Sequence, residues 1–233
     1  MAYIDTIDIE DAEGIVKQEY EKGFRRSGRV FNILKIMSRS PSALKEAMSM
    51  YLAIMYGESE LSRAQREMLA TIVSKINHCY YWTEAHGDDF RDEVNNEELA
   101  EHLKHEWKTA DLAQKDKALC SWAEKLTLTP GEMDVSDVRK LEAVGLSQNA
   151  ISDAAQVISY FNYINRIADG LGVDLEPEME IWNKFYFFFF QYQYAGIPKR
   201  VSPNPIIDCS GDAKNVFTII ADENKMKNAG TYG

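Results

Sequence analysis

Residues 61–87 read LSRAQREMLATIVSKINHCYYWTEAHG, and residues 146–172 read LSQNAISDAAQVISYFNYINRIADGLG. Laid over one another without a gap, the two stretches agree at Leu61 and Leu146, Ser62 and Ser147, Ala70 and Ala155, Ser74 and Ser159, Asn77 and Asn162, and Gly87 and Gly172. Both open on Leu-Ser, and Ser62 followed by Gln65 has the spacing of a capping box at a helix N-terminus. Met68, Leu69, Ile72, Val73 and Ile76 then recur at helical spacing, and the last three face Val157, Ile158 and Phe161 of the second stretch. Capping and core positions match together, which points to a degenerate helical duplication. The differences are informative: Glu67 is replaced by Ser152, Cys79 by Ile164 and His86 by Leu171. Only the first copy carries groups able to do chemistry.

Outward from these two stretches the chain reads as all-α. Hairpin dipeptides are missing between alternating runs, while Gly and Pro fall at helix ends. Ser40-Pro41 opens a helix that carries Leu44, Met48, Tyr51, Leu52 and Met55 and stops near Gly57. Further helices are predicted over 96–107, 111–126, 134–143, 148–169 and 177–194. The texture changes after Gly196, where Pro198, Pro203 and Pro205 predict an extended arm. The expected organisation is a helical domain over 1–196, with halves at about 25–110 and 111–196, and a C-terminal arm over 197–233.

Composition narrows the function classes. The chain has 233 residues, 45% hydrophobic and 27% charged, which is ample for a folded core. Its net charge of -11 argues against a nucleic-acid partner or an anionic membrane surface. Three cysteines do not make a disulfide framework, so a reducing, cytoplasmic setting is expected. The first residues lack a basic segment followed by an apolar run, so no secretory signal is expected. The aromatic run 185–190 is too short to span a bilayer. With Trp182, Tyr192 and Tyr194 it puts aromatic surface all round one helix, and a homo-oligomer, dimer or trimer, is the expectation.

Cys79, Trp82 and His86 stand at i, i+3 and i+7, along one stripe of a helix. Asn77 is read as the N-cap of that helix, which puts Cys79 in the first turn, where unpaired N–H groups favour a thiolate. Glu67 lies twelve residues before Cys79, about 18 Å away in an unbroken helix. A break near Asn77 lets the two segments fold back, so that Glu67 reaches and orients His86 beside an activated sulfur. Trp82 and Tyr80 are candidates for an aromatic wall of a substrate pocket. His102 and His105, with Glu98 and Glu106, have metal-like spacings but read as an exposed charged helix, and no metal or cofactor is expected. Cys120, among Ala118, Leu119 and Trp122, reads as core.

At these residues the sequence resembles the alkylhydroperoxidase AhpD-like and carboxymuconolactone decarboxylase superfamily, whose peroxidatic members carry E-x11-C-x-x-C-x3-H. Here the pattern runs Glu67, Cys79, Trp82, His86, with Trp82 where the second cysteine stands in that pattern. The stretches 61–68 and 161–172 resemble the longer peroxidase-related branch, and the resemblance covers about 25–195. It implies an all-helical fold of two related halves, oligomeric assembly and, in members with both cysteines, thiol-dependent reduction of hydroperoxides. On that basis Cys79, His86 and Glu67 are the expected catalytic residues, acting on a small-molecule hydroperoxide with an external thiol as reductant. Members of the decarboxylase type instead work by acid/base groups in a similar pocket. A non-catalytic, oligomeric binding protein is the third reading. Cys209 in the arm, ahead of the apolar segment 216–220, is a candidate second thiol for Cys79.

Overall fold

The computed structural model describes residues 2–179. Among the described residues, nine α-helices run in the order α1 (Gly14–Ser27), α2 (Asn32–Ile36), α3 (Pro41–Tyr56), α4 (Arg63–Ile76), α5 (Tyr80–Val94), α6 (Glu97–Glu106), α7 (Gln114–Leu128), α8 (Val135–Ala143) and α9 (Gln148–Leu171). No strand occurs among the described residues, and the all-α reading holds. α1 and α2 were not anticipated by the helical periodicity. α7 starts and ends later than the pattern implies. The predicted helix over 177–194 lies outside the described residues from residue 180 on, as do the C-terminal arm and Cys209. No helix among the described residues is long and apolar enough to cross a membrane.

α4 is the centre of the fold. The capping box holds as read: Ser62 Oγ accepts from the Gln65 N–H and the Gln65 side chain returns to the Ser62 N–H, each at 3.1 Å. Every residue from Arg66 through Ser74 is buried, because α5, α6, α7, α9 and α3 pack around the helix. Such a helix need not be amphipathic in the usual sense, and it carries polar groups inward along with Met68, Leu69, Ile72 and Val73.

The two copies pack against one another through α4 and α9, and aligned residues meet. Asn77 Nδ2 donates to Asn162 Oδ1 at 3.1 Å and to Asn165 Oδ1 at 2.9 Å, while Asn165 Nδ2 donates to Ser74 Oγ at 3.1 Å. Asn162 in turn donates to Thr127 Oγ1 at 3.0 Å, so the amides along this seam are paired.

The copies differ in their course. α9 is one helix of 24 residues, whereas the first copy breaks after Ile76. The His78 N–H donates to the Lys75 carbonyl at 3.0 Å and the Cys79 N–H to the Ser74 carbonyl at 2.9 Å. This is the bond pattern of a Schellman turn, with His78 in the left-handed position at φ +60° where glycine is usual. Asn77 therefore closes α4 as its C-cap and Cys79 is the N-cap of α5, two residues after the N-cap assignment read from sequence and just ahead of the first turn in which Cys79 was expected. A side-chain amide at Asn77 was read as capping the next helix. Its partners are instead the asparagines of α9.

Candidate active site

The turn at 77–79 sends α5 back along α4, and two residues 19 positions apart meet inside the protein. His86 Nδ1 lies 2.5 Å from Glu67 Oε2. Glu67 is fully buried and His86 is 1% exposed. Arg63, one turn before Glu67 on α4, donates from Nε to Glu67 Oε1 at 2.6 Å, and its Nη2 engages the same oxygen. The Arg63 guanidinium also lies over the Tyr56 ring at 3.8 Å. Burial alone would raise the Glu67 carboxyl, but His86 and Arg63 outweigh it and hold the pKa below the ordinary value. Glu67 is thus a carboxylate, and Nδ1 is the His86 nitrogen that donates to it; in a neutral ring Nε2 then carries the lone pair.

Aromatic rings fix the imidazole from the other sides. Trp82 stacks on it at 5.1 Å with the planes 16° apart, Phe161 meets it edge to face at 4.6 Å, and Tyr51 stands 6.2 Å away. His86 Nε2 and Trp82 Nε1 are both buried without a hydrogen-bond partner. Leaving such a group unpaired costs about 1–3 kcal/mol, a cost that folding alone does not explain. Asp89 Oδ2 lies 3.7 Å from His86 Nδ1 with its side chain 49% exposed; desolvation raises its pKa, His86 opposes the rise and the Glu67 charge adds to it.

Glu67, His86 and Asp89 offer ligand atoms within 4.8 Å of one another. A cation there would have to displace the Nδ1 proton and compete with Arg63 for Glu67, so the donor set fits a proton network better than a metal. His105 pairs with Glu101 at 3.2 Å on the surface of α6, in keeping with its reading as part of a charged face.

Of the residues singled out from sequence, the structure brings Glu67, His86 and Trp82 together, while the Cys79 thiol faces Asp169 and the Tyr80 hydroxyl faces Met179. The Cys79 side chain is fully buried, and its thiol faces the Asp169 carboxylate on α9. Burial pushes that thiol well above the usual cysteine range and Asp169 adds to the shift, against a smaller lowering by the Trp82 N–H. The thiolate expected from a first-turn position is therefore corrected: desolvation and a facing carboxylate overcome the helix N-terminus. Asp169 lines an open cleft of about 460 Å³ with Asn77, Asn165, Arg166 and Gly170. Tyr80 points elsewhere, its hydroxyl 3.5 Å from the Met179 carbonyl. Cys120 is buried in the core, as read.

The sequence reading missed Arg63, Asp89, Tyr51 and Asp169 as neighbours of these groups. Arg63 and Asp89 sit at i−4 and i+3 from Glu67 and His86, so a search for charged helical neighbours would have found both. Tyr51 and Asp169 come from other helices and carry no local signal.

Solved structures share this fold. An uncharacterized peroxidase-related protein from Silicibacter sp. TM1040 superposes with a TM-score of 0.69 and 29% identity over 76% of this chain and 93% of its own. The chain shares the fold of this peroxidase-related protein. A peroxidase-related protein from Ralstonia eutropha JMP134, described as an alkylhydroperoxidase AhpD core, shares the fold at TM-score 0.72 and 21% identity, over 76% of this chain and 94% of its own. The debrominase Bmp8, solved with 2,3,4-tribromopyrrole, shares it at TM-score 0.65 and 16% identity over 78% and 96%. No protein-family model matches.

Proposed function

We propose that this AhpD-like protein is a general acid/base catalyst whose working atom is His86 Nε2. The observation that carries the reading is the 2.5 Å contact of His86 Nδ1 with a fully buried Glu67, which leaves Nε2 as a fixed, unpaired base. Glu67 is the positioning residue: it sets the tautomer and stabilises the imidazolium formed when Nε2 takes a proton. Arg63 anchors Glu67 in turn. The aromatic walls exclude water and so strengthen each of these interactions.

Reduction of hydroperoxides through Cys79 is the second reading, and the position of the sulfur beside Asp169 at the edge of an open cleft favours it. Its chemistry is S-oxygenation: the sulfur attacks the peroxide, the O–O bond breaks and an alcohol leaves; one external thiol then condenses with the sulfenic acid to a mixed disulfide with loss of water, and a second releases the Cys79 thiol as the reductant departs as its own disulfide. The step needs a thiolate, which the surroundings of Cys79 disfavour.

Two variants separate the readings. A panel of carbon acids, including β-keto acids and lactone carboxylates, is followed by NMR in D2O for deuterium uptake. Uptake is expected to survive Cys79→Ser and to fall about 100-fold or more in His86→Gln. Hydroperoxide consumption with dithiothreitol that is lost in Cys79→Ser, with no His86-dependent exchange anywhere on the panel, would overturn the acid/base reading.

A further inference from the structure

Asp169 is a carboxylate in a place that stability does not favour. It stands in the last turn of α9, three residues before the Gly172 C-cap, where the carbonyl ends of the helix disfavour negative charge. Among the described residues no cation pairs with it: Arg166, one turn earlier on the same helix, donates instead to Asn162 Oδ1 at 2.9 Å. What the carboxylate does face is the Cys79 thiol. It also lines the cleft of about 460 Å³ together with Asn77, Asn165, Arg166 and Gly170. Cys79 follows Asn77 by two residues and is fully buried, so the Asp169 carboxyl is the group that both lines the cleft and faces the sulfur.

A thiol and a carboxylate in contact hold one proton between them. Losing it would set two anions side by side, and burial raises both groups, so the proton stays with the pair. Within the pair it moves from sulfur to oxygen with no change in net charge. The sulfur is then a thiolate, the species that attacks peroxides. The Trp82 N–H, which opposes the rise of the thiol, favours that form.

We propose that Asp169 is the catalytic acid/base of Cys79, taking the thiol proton as the sulfur attacks a small hydroperoxide in the cleft and returning it to the departing oxygen. The proposal rests on the second of the two readings, in which Cys79 reduces hydroperoxides, and is separate from the pair of Glu67 and His86. The S–H bond breaks and its proton goes to Asp169, while a sulfur electron pair forms the S–O bond to the terminal peroxide oxygen. The O–O bond breaks, and the oxygen that leaves with its electron pair takes the proton from Asp169, as an alcohol or, from hydrogen peroxide, as water. Sulfur is oxidised by two electrons, the peroxide is reduced by two, and Asp169 ends as it began. External thiols then restore Cys79.

The test treats the full chain with hydrogen peroxide, traps sulfenic acid with dimedone, and reads the Cys79 and Cys120 peptides by mass spectrometry in the same sample. Cys120 is a buried core thiol and reports any general loosening of the fold. Wild-type Cys79 is expected to be trapped at least about tenfold faster than Cys120, at a rate nearly flat between about pH 6 and 8 because the pair keeps its proton. Asp169→Asn keeps the shape and removes the proton acceptor. The ratio of Cys79 to Cys120 trapping should fall about tenfold near pH 7, and the Cys79 rate should climb about tenfold per pH unit with the free thiolate. A carboxylate that only suppressed the thiol by its charge would give the opposite sign, a faster Cys79 in the variant. An unchanged or raised ratio in Asp169→Asn therefore overturns the proposal and, with wild-type Cys79 still oxidised, leaves the thiol reading standing. Wild-type Cys79 trapped no faster than Cys120 overturns both.

Discussion

Residues 61–87 and 146–172 begin with the same capped turn and end in different structures. In the second copy the helix runs on for 24 residues as α9, and Ser152 and Leu171 are separated by about 28 Å at the rise of an α-helix. In the first copy a three-residue turn centred on His78 reverses the chain, and Glu67 and His86 at the corresponding positions touch at 2.5 Å. The turn, more than the identity of the two residues, makes the site. A Glu and a His grafted onto α9 would not meet.

Replacing first-copy residues by their second-copy counterparts tests this contrast, and the largest effect belongs to Glu67→Ser. The change strips a partly exposed guanidinium and a buried imidazole of their common partner, and a loss of about 3 kcal/mol is expected in denaturant unfolding. A loss under about 1 kcal/mol would mean that the pair is not held as described.

Part of that contribution depends on pH. The Glu67 carboxyl is lowered in the folded state, so its contribution is present above the unfolded value near 4.5 and disappears as pH falls through the folded value. The wild type should lose stability over that acid range, and Glu67→Gln should show a shallower loss. Parallel acid profiles for the two proteins would count against a depressed Glu67.

The turn itself gives the next effect. At φ +60° a β-branched side chain clashes with its own backbone, so His78→Ile should cost about 1–2 kcal/mol while His78→Gly is neutral or stabilising. If both variants unfold like the wild type, the chain does not reverse through a left-handed residue. Cys79→Ala is expected to have the smallest effect, about 1 kcal/mol of lost packing, with His86-dependent deuterium uptake unchanged within twofold.

The sequence is legible where a signal is local. Ser62 and Gln65 spell a capping box, the apolar period marks α4 and α9, and the break near Asn77 is visible from the spacing of Glu67, Cys79 and His86. The direction of the break is what brings Glu67 to His86, and that much follows from the pattern. Less legible is anything decided by a partner helix. Cys79 sits at a helix N-terminus, which in isolation favours a thiolate, yet Asp169 from α9 and complete burial reverse the effect. Gly87 and Gly172 align in sequence for unrelated reasons. A Cβ at Gly87 would overlap the Lys104 side chain, whereas Gly172 ends α9 at φ +68°. An identity between two copies records a shared position and does not fix a shared cause.

The central claim is that Glu67 holds the proton on His86 Nδ1 and leaves Nε2 as the base. Long-range proton–nitrogen correlation on protein labelled with 15N-histidine reads this directly near neutral pH. The account predicts a neutral His86 ring with Nδ1 protonated and Nε2 bare, and loss of that tautomer preference in Glu67→Gln. A ring protonated on Nε2, or on both nitrogens, would contradict it.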